Sequence, residues 1–132
     1  QQLVQGLQEN CSARGLANII WSCERLGSRD TAAQLLPVFL QSSKLRQAKP
    51  QEISNVLLAV AKLQLQLTAE QLQDMLQRFT ELLPDAAPQA VSNTLWAVAT
   101  MGQQVPPGQL QQMLERFQQV LHLANPQDVS NT

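Results

Sequence analysis

The stretch PQEISNVLLAVAKL, residues 50–63, returns 38 residues later as PQAVSNTLWAVATM, residues 88–101. The pattern Pro-Gln-x-x-Ser-Asn begins a third copy at 126–131, and a degraded copy, ARGLANIIWSCERLG, starts at Ala13. A fixed period of this length is typical of solenoids, in which one supersecondary unit cannot bury its own apolar face and stacked neighbours bury it instead. The repeat therefore predicts an all-α solenoid.

Each unit carries the signals of two antiparallel helices. Pro50 suits a first helical position, because its missing N–H would be unpaired there, and apolar residues follow at helical spacing to about Gln64. Thr68 begins a second helix with Gln71 three residues later, a capping-box arrangement, and Gly27 and Gly102 end the first helices of the outer units. The apolar stripes of the second helices are Leu35, Leu36, Phe39 and Leu40; Leu72, Met75, Leu76 and Phe79; and Leu110, Met113, Leu114 and Phe117.

We predict one helical-repeat segment, a right-handed α-solenoid of tandem 38-residue antiparallel helix-turn-helix repeats. Its divisions are 1–12 for the end of a preceding repeat, 13–49, 50–87 and 88–125 for three repeats, and 126–132 for the start of the next. No segment alternates with period two, so we expect no strand. The incomplete ends indicate a window from a longer array, with any targeting signal or terminal domain outside it.

The charge is small overall and uneven along the chain. The formal net charge of −1 gives no general basic field to attract nucleic acid. Residues 1–62, however, carry seven Lys and Arg against four Asp and Glu, and residues 63–132 carry two against six. The first half can therefore attract a polyanion that the second half repels.

The sequence offers little for catalysis. Its single histidine, His122, stands near a helix end, and Cys11 and Cys23 are too few and too far apart for a zinc site or a disulfide scaffold. The five glycines are isolated and form no phosphate loop. We expect no enzyme, no cofactor, no metal and no small-molecule substrate.

No run approaches the roughly 18 apolar residues of a membrane span, so we expect a soluble segment without a membrane partner.

A polar row runs along the first helix of each unit, off the apolar stripe. Gln51, Asn55, Ala59 and Lys62 are spaced i, i+4, i+8 and i+11, which places them on one side of a helix. Their counterparts are Arg14, Asn18, Ser22 and Arg25 in the first unit, and Gln89, Asn93, Ala97 and Thr100 in the third; the fourth begins with Gln127 and Asn131. In parallel helices the row forms a polar groove with occasional cations.

Two explanations compete for the repeated asparagines. They form a structural ladder, in which each side chain bonds groups of the adjoining unit, or they contact a ligand in the groove, since an amide has donors and an acceptor for base edges. Trp21 and Trp96 share a position with Leu58. Tryptophan can stack on a base, but leucine at the same position favours packing.

The segments ISNVLLAVAKL (53–63) and VSNTLWAVATMG (91–102), each preceded by Pro-Gln, resemble the octotricopeptide repeat. That family has a 38-residue unit with a comparable proline start and an Asn-x-x-Trp-Ala-x-Ala-x-x-Gly-like core. The second unit departs from it at Leu58 and Gln64, and the first lacks the proline and has Ser-Cys-Glu in place of Ala-x-Ala.

The resemblance implies an α-solenoid that binds single-stranded RNA on the side of the first helices, with about one nucleotide per repeat, as in other helical-repeat readers. It also implies a role in a chloroplast or mitochondrion, in the stability, processing, splicing or translation of transcripts. The predicted RNA-binding residues are Arg14, Asn18, Arg25, Gln51, Glu52, Ser54, Asn55, Lys62, Gln89, Ser92, Asn93, Gln127 and Asn131.

Within this set the polar residues would face bases, and Arg14, Arg25 and Lys62 would contact phosphates. The alternative is a protein-interaction scaffold of the armadillo or HEAT kind, in which the asparagines hold the backbone of an extended peptide. The acidic second half favours this alternative, whereas the resemblance favours RNA.

Overall fold

The computed structural model describes residues 11–102 and 105–123, and these ranges are all helix and connecting turns, without a strand. The helices are α1 (Ala13–Leu26), α2 (Arg29–Phe39), α3 (Ser42–Gln47), α4 (Pro50–Leu63), α5 (Ala69–Glu81), a short 3-10 helix (Leu83–Asp85), α6 (Pro88–Met101) and α7 (Pro107–Leu123). The predicted all-α class is confirmed.

The helix ends follow the signals in the sequence. Pro50 and Pro88 occupy the first positions of α4 and α6. Helix α5 begins at a capping box, in which the Gln71 N–H donates to Thr68 Oγ1 at 3.0 Å and the Thr68 N–H donates to Gln71 Oε1 at 2.9 Å. Gly27 and Gly102 end α1 and α6 with φ of 72° and 70°, where glycine carries no steric penalty.

The second helix predicted for the first unit is instead two helices. Gln41 is extended, with φ of −60° and ψ of 143°, and it separates α2 from α3. Pro37, inside α2, removes one backbone donor shortly before the break. The short α3 has its counterpart in the 3-10 helix, because Leu45 and Leu83 stand 38 residues apart and are both buried.

Helices α1, α4 and α6 lie side by side, with α4 in contact with both of the others. Their carboxyl ends are neighbours. Lys62 near the end of α4 lies 3.9 Å from Glu24 of α1, and the end of α4 borders Thr100 and Met101 of α6. The three helices are therefore parallel. Helices α5 and α7 contact one another in a second layer that also contains α2 and α3.

The core is complete around the middle hairpin and incomplete at α7. Met75 and Leu76 of α5 are fully or almost fully buried. Met113 of α7, which stands 38 residues after Met75, is buried as predicted. Leu110 and Leu114 of the same stripe are 38% and 47% exposed. The expectation that the whole α7 stripe is core is wrong in this structure, because α7 is the last described helix and packs on one side.

Candidate nucleic-acid interface

Helix α4 leaves one narrow face uncovered. Helices α1 and α6 flank it and α5 packs on it, so most of its residues are buried. Gln51 and Lys62 are exposed, and Asn55 and Leu58 are half-buried. These four residues are spaced i, i+4, i+7 and i+11, which keeps them on one line along the helix.

The same line is open on both neighbours of α4. On α1 it contains Arg14, Asn18, Trp21 and Arg25, which are all exposed, and on α6 it contains Gln89, Asn93, Trp96 and Thr100. We call these eight residues, with Gln51, Asn55, Leu58 and Lys62, the outer row. Since the three helices are parallel, the outer row forms one surface across them.

The third position of the row differs from the prediction on α4 and α6, whereas the predicted Ser22 of α1 is exposed. Ala59 and Ala97, which were expected in the groove, are 0% exposed, whereas Trp21 and Trp96, which were expected to pack, are 39% and 49% exposed. A helix turns by about 100° per residue. The seventh residue after Gln51 therefore returns close to its direction, and the eighth, Ala59, points towards a neighbouring helix.

The outer row is positive on α1 and α4 and uncharged on α6. Its cations are Arg14, Arg25 and Lys62, and none of its twelve members is acidic. The Arg25 guanidinium carbon lies 5.1 Å from the centroid of the Trp21 ring, which is within cation–π distance. Lys62, whose side chain is 49% exposed, lies 3.9 Å from Glu24, whose side chain is 19% exposed.

The asparagines of the row show no ladder. Asn55 Oδ1 accepts a hydrogen bond from Gln51 Nε2 of the same helix at 3.0 Å. Ser22 Oγ donates to the backbone carbonyl of Asn18 at 2.8 Å, which leaves the Asn18 side chain out of that bond. Among the hydrogen bonds of the described residues, none joins Asn18 to Asn55 or Asn55 to Asn93. The amides therefore keep bonding capacity towards the outside.

Three further predicted residues lie in different surroundings. Glu52 Oε1 accepts from the Lys49 N–H at 3.0 Å, so this carboxylate caps α4. Ser54 is 0% exposed and does not reach the groove, which corrects the prediction for it. Ser92 is exposed, and its hydroxyl donates to the Gln89 carbonyl at 3.3 Å. Gln127 and Asn131 lie outside the described residues.

Ser54 is buried because it lies between two helices. It shares a side of α4 with Ala61, seven residues later, and Ala61 lines a cavity with Thr100 and Met101 of α6. Ser92 holds the same position on α6 but has no described helix beyond it. Repeat position alone did not separate these two serines, because their burial depends on the neighbour.

The structure also bears on thiol chemistry, metal binding and membrane insertion. Burial raises the pKa of the Cys23 thiol, so it stays protonated near neutral pH and is a weak nucleophile. Within 11–102 and 105–123, no group of three His, Cys, Asp or Glu side chains is placed to hold a metal ion. None of the helices described combines the length and the apolar character that crossing a bilayer requires.

These features define the class: an all-α protein of packed helical hairpins with one open polar and aromatic face. The family model for the Tbc2 translation factor N-terminal domain matches residues 2–131. The chain therefore belongs to this translation-factor family. No curated protein and no solved structure gives a significant match.

Proposed function

We propose that this chain is a segment of a right-handed α-solenoid of the octotricopeptide type, with repeats at 13–49, 50–87 and 88–125, and that it binds single-stranded RNA along the outer row. The family description as a translation factor supports a role in RNA regulation or translation. We further propose an organellar setting, a chloroplast or mitochondrion, and a non-catalytic mode of action.

The observation that carries the proposal is the row of asparagines. Asn18, Asn55 and Asn93 stand at one position on three parallel helices, and no described hydrogen bond joins them. A carboxamide presents donors and an acceptor, which suit the edges of unpaired bases. An uncharged, partly exposed asparagine is only a mediocre helix former, so its use on all three helices is better explained by a ligand than by local stability.

The cations supply the second part of the interface. Arg14, Arg25 and Lys62 would contact phosphates on one side of the row. For single strands, log K falls with log salt concentration by about 0.7 per phosphate contact, so three contacts predict a slope of about −2. This modest slope fits a short footprint of a few nucleotides, and more repeats would be needed for tight binding.

Equilibrium binding of the 132-residue chain to a fluorescein-labelled random 12-nucleotide RNA tests the proposal. We expect binding to the single strand that weakens from 50 to 200 mM salt, and weaker binding to the same RNA in a duplex. Arg14→Gln should reduce the salt slope by about 0.7. Arg46→Gln removes the same charge from a residue outside the outer row and should leave the slope unchanged. Absence of binding, or equal effects of the two variants, would reject the proposal.

The asparagines have their own test. The double variant Asn55→Ala/Asn93→Ala should weaken RNA binding while the melting temperature stays within a few degrees, because no bond between helices is lost. Gln34→Ala/Gln112→Ala removes two exposed amides from α2 and α7 and serves as the control. A large fall in melting temperature without an RNA effect would support the structural ladder instead.

A protein-interaction scaffold of the armadillo or HEAT kind is the second candidate. The uncharged α6 portion of the row favours it, because Gln89, Asn93 and Thr100 offer hydrogen bonds without attracting a polyanion. It predicts that the chain retains a peptide or protein partner from an extract after ribonuclease treatment and that no transcript is enriched by crosslinking. RNA is preferred because every charge in the outer row is positive.

A further inference from the structure

The two tryptophans of the sequence, Trp21 and Trp96, both lie in the outer row. Their exposed fractions of 39% and 49% are large for side chains that usually contribute most of their area to a core. Exposed apolar surface bordered by polar groups is a frequent mark of a binding site. Each indole is bordered by an asparagine three residues earlier, Asn18 or Asn93.

Part of this exposure follows from the position on the helix and does not require the end of the described chain. Leu58 has the same position on α4, which is flanked on both sides by α1 and α6, and it is still partly exposed. By contrast, Ser54 becomes buried when a neighbouring helix is present. A further helix beyond α6 would cover Ser92 and reduce the opening at Trp96, but the position would stay partly exposed, as Leu58 does between its two neighbours.

We propose that Trp21 and Trp96 each stack on one unpaired base, and that Leu58 leaves the middle position without a stacking partner. This inference rests on the proposed RNA-binding function and assigns it two base-contacting residues. Aromatic rings take any base on their faces, and the neighbouring amide can then bond the edge of that base. Along the row we therefore expect one stacked base at Trp21, no stacking at Leu58 and one stacked base at Trp96.

The spacing requires two separate bases. Packed helices lie about 9 Å apart, so residues at one position on α1 and α6 are about 18 Å apart. This is several times the 3.4 Å step between stacked nucleotides of a duplex strand. The two indoles therefore cannot enclose neighbouring stacked bases, and the RNA must pass over Leu58 in an extended form.

The surroundings of Trp21 and Trp96 differ in charge. Arg25 lies over the Trp21 ring, and the equivalent of Arg25 on α6 is Thr100. A base that stacks on this face of Trp21 displaces the guanidinium, which is then free to contact a phosphate, whereas a base at Trp96 meets an uncharged surface. We therefore expect stacking at Trp96 to depend less on salt than stacking at Trp21. An acidic peptide would use the same cations but carries no regular series of aromatic bases to stack on the indoles.

The test compares two ligands by NMR on the 15N-labelled chain: oligoadenylate of eight nucleotides, and an abasic eight-nucleotide strand with the same phosphates. The two indole Nε1–H signals report on Trp21 and Trp96 separately. Both signals should shift on addition of oligoadenylate, with quenching of tryptophan fluorescence. The abasic strand should bind more weakly and should leave the Trp96 signal in place.

Two of the three substitutions use residues that the chain already has at this position. Trp96→Leu copies Leu58 and should weaken oligoadenylate binding by about 5-fold to 150-fold, the range for loss of one stacked base. Trp96→Phe keeps an aromatic face and should retain most of the affinity. Leu58→Trp should tighten binding, because it adds a platform in the gap.

The outcomes separate the two proposals. If the abasic strand binds as tightly as oligoadenylate and Trp96→Leu has no effect, stacking is wrong and phosphate-based RNA binding stands. If neither strand binds, both proposals fail. If the indole signals broaden with protein concentration alone, the tryptophans contact a second copy of the chain, which also overturns the stacking assignment.

Discussion

The interface between α1 and α4 and the interface between α4 and α6 use the same positions with different chemistry. Ala17 of α1 and Val56 of α4 are fully buried. Their counterparts one helix further on, Ser54 of α4 and Thr94 of α6, are equally buried. Neither hydroxyl has a hydrogen-bond partner among the described residues. The first interface is apolar at these positions, and the second contains two unpaired hydroxyl groups.

The edges of the two interfaces also differ: the first is joined by side-chain hydrogen bonds, and the second borders a cavity. At the first, Arg29 of α2 donates to the carbonyls of Leu63 and Gln64, at 2.9 and 2.8 Å, and so joins the first hairpin to the end of α4. At the second, Gln64, Gln66 and Thr100 border a cavity of about 260 Å3. One repeat period has therefore produced two interfaces that differ in the polarity of their buried residues and in the hydrogen bonds at their edges.

The comparison shows that a regular repeat in the sequence does not make the interfaces between successive helices equally stable. The recurring proline, asparagine and apolar positions determine where each helix begins and which side faces inwards. The free energy of each interface depends on residues that vary between copies. In a solenoid, the architecture proposed above for this chain, the weaker interface can open while the helices stay formed.

The largest expected effect comes from exchanging the buried residues. Thr94→Val should raise the free energy of unfolding by about 1–2 kcal/mol, because an unpaired hydroxyl is replaced by a methyl group. Val56→Thr should lower it by a similar amount, since it brings the same hydroxyl into the first interface. Urea denaturation followed by circular dichroism measures both changes. Opposite signs are required; destabilisation by Thr94→Val would show that the Thr94 hydroxyl has a stabilising partner.

The sequence predicted the helices well where a local signal exists. The proline starts of α4 and α6, the glycine ends of α1 and α6 and the capping box of α5 are all confirmed, because each depends on residues within one turn. The break between α2 and α3 was missed, although Pro37, four residues before Gln41, is a sequence signal for a helix end. The repeat boundaries remain a prediction.

The candidate site was only partly predictable. The side chains of Leu58 and Ala59 point in directions about 100° apart on the helix. The 38-residue repeat did not indicate which of the two belongs to the outer row. Ser54 and Ser92 look alike in sequence and differ in burial because one has a neighbouring helix. Such properties depend on contacts between units, which a single helix does not encode.

A smaller effect is expected at the edge of the first interface. Arg29→Gln should lower the free energy of unfolding by about 0.5–1 kcal/mol, because two hydrogen bonds to helix-end carbonyls are lost at an exposed site where water competes. Arg14→Gln removes another exposed arginine, for which no hydrogen bond is described, and is the matched control. Thermal unfolding of both variants measures the difference. Equal melting temperatures for the two would mean that the Arg29 bonds do not hold the hairpins together.

The smallest effect concerns the ion pair between Lys62 and Glu24, which bridges α4 and α1. The charged atoms are 3.9 Å apart, and the lysine side chain is 49% exposed, so a double-mutant cycle with Lys62→Gln and Glu24→Gln should give a coupling of at most about 0.5 kcal/mol. The coupling should fall further at 1 M salt. A value above about 1 kcal/mol would contradict the proposed phosphate contact, because Lys62 would then be held by Glu24. A weak pair leaves this lysine able to turn from the glutamate to a ligand at little cost.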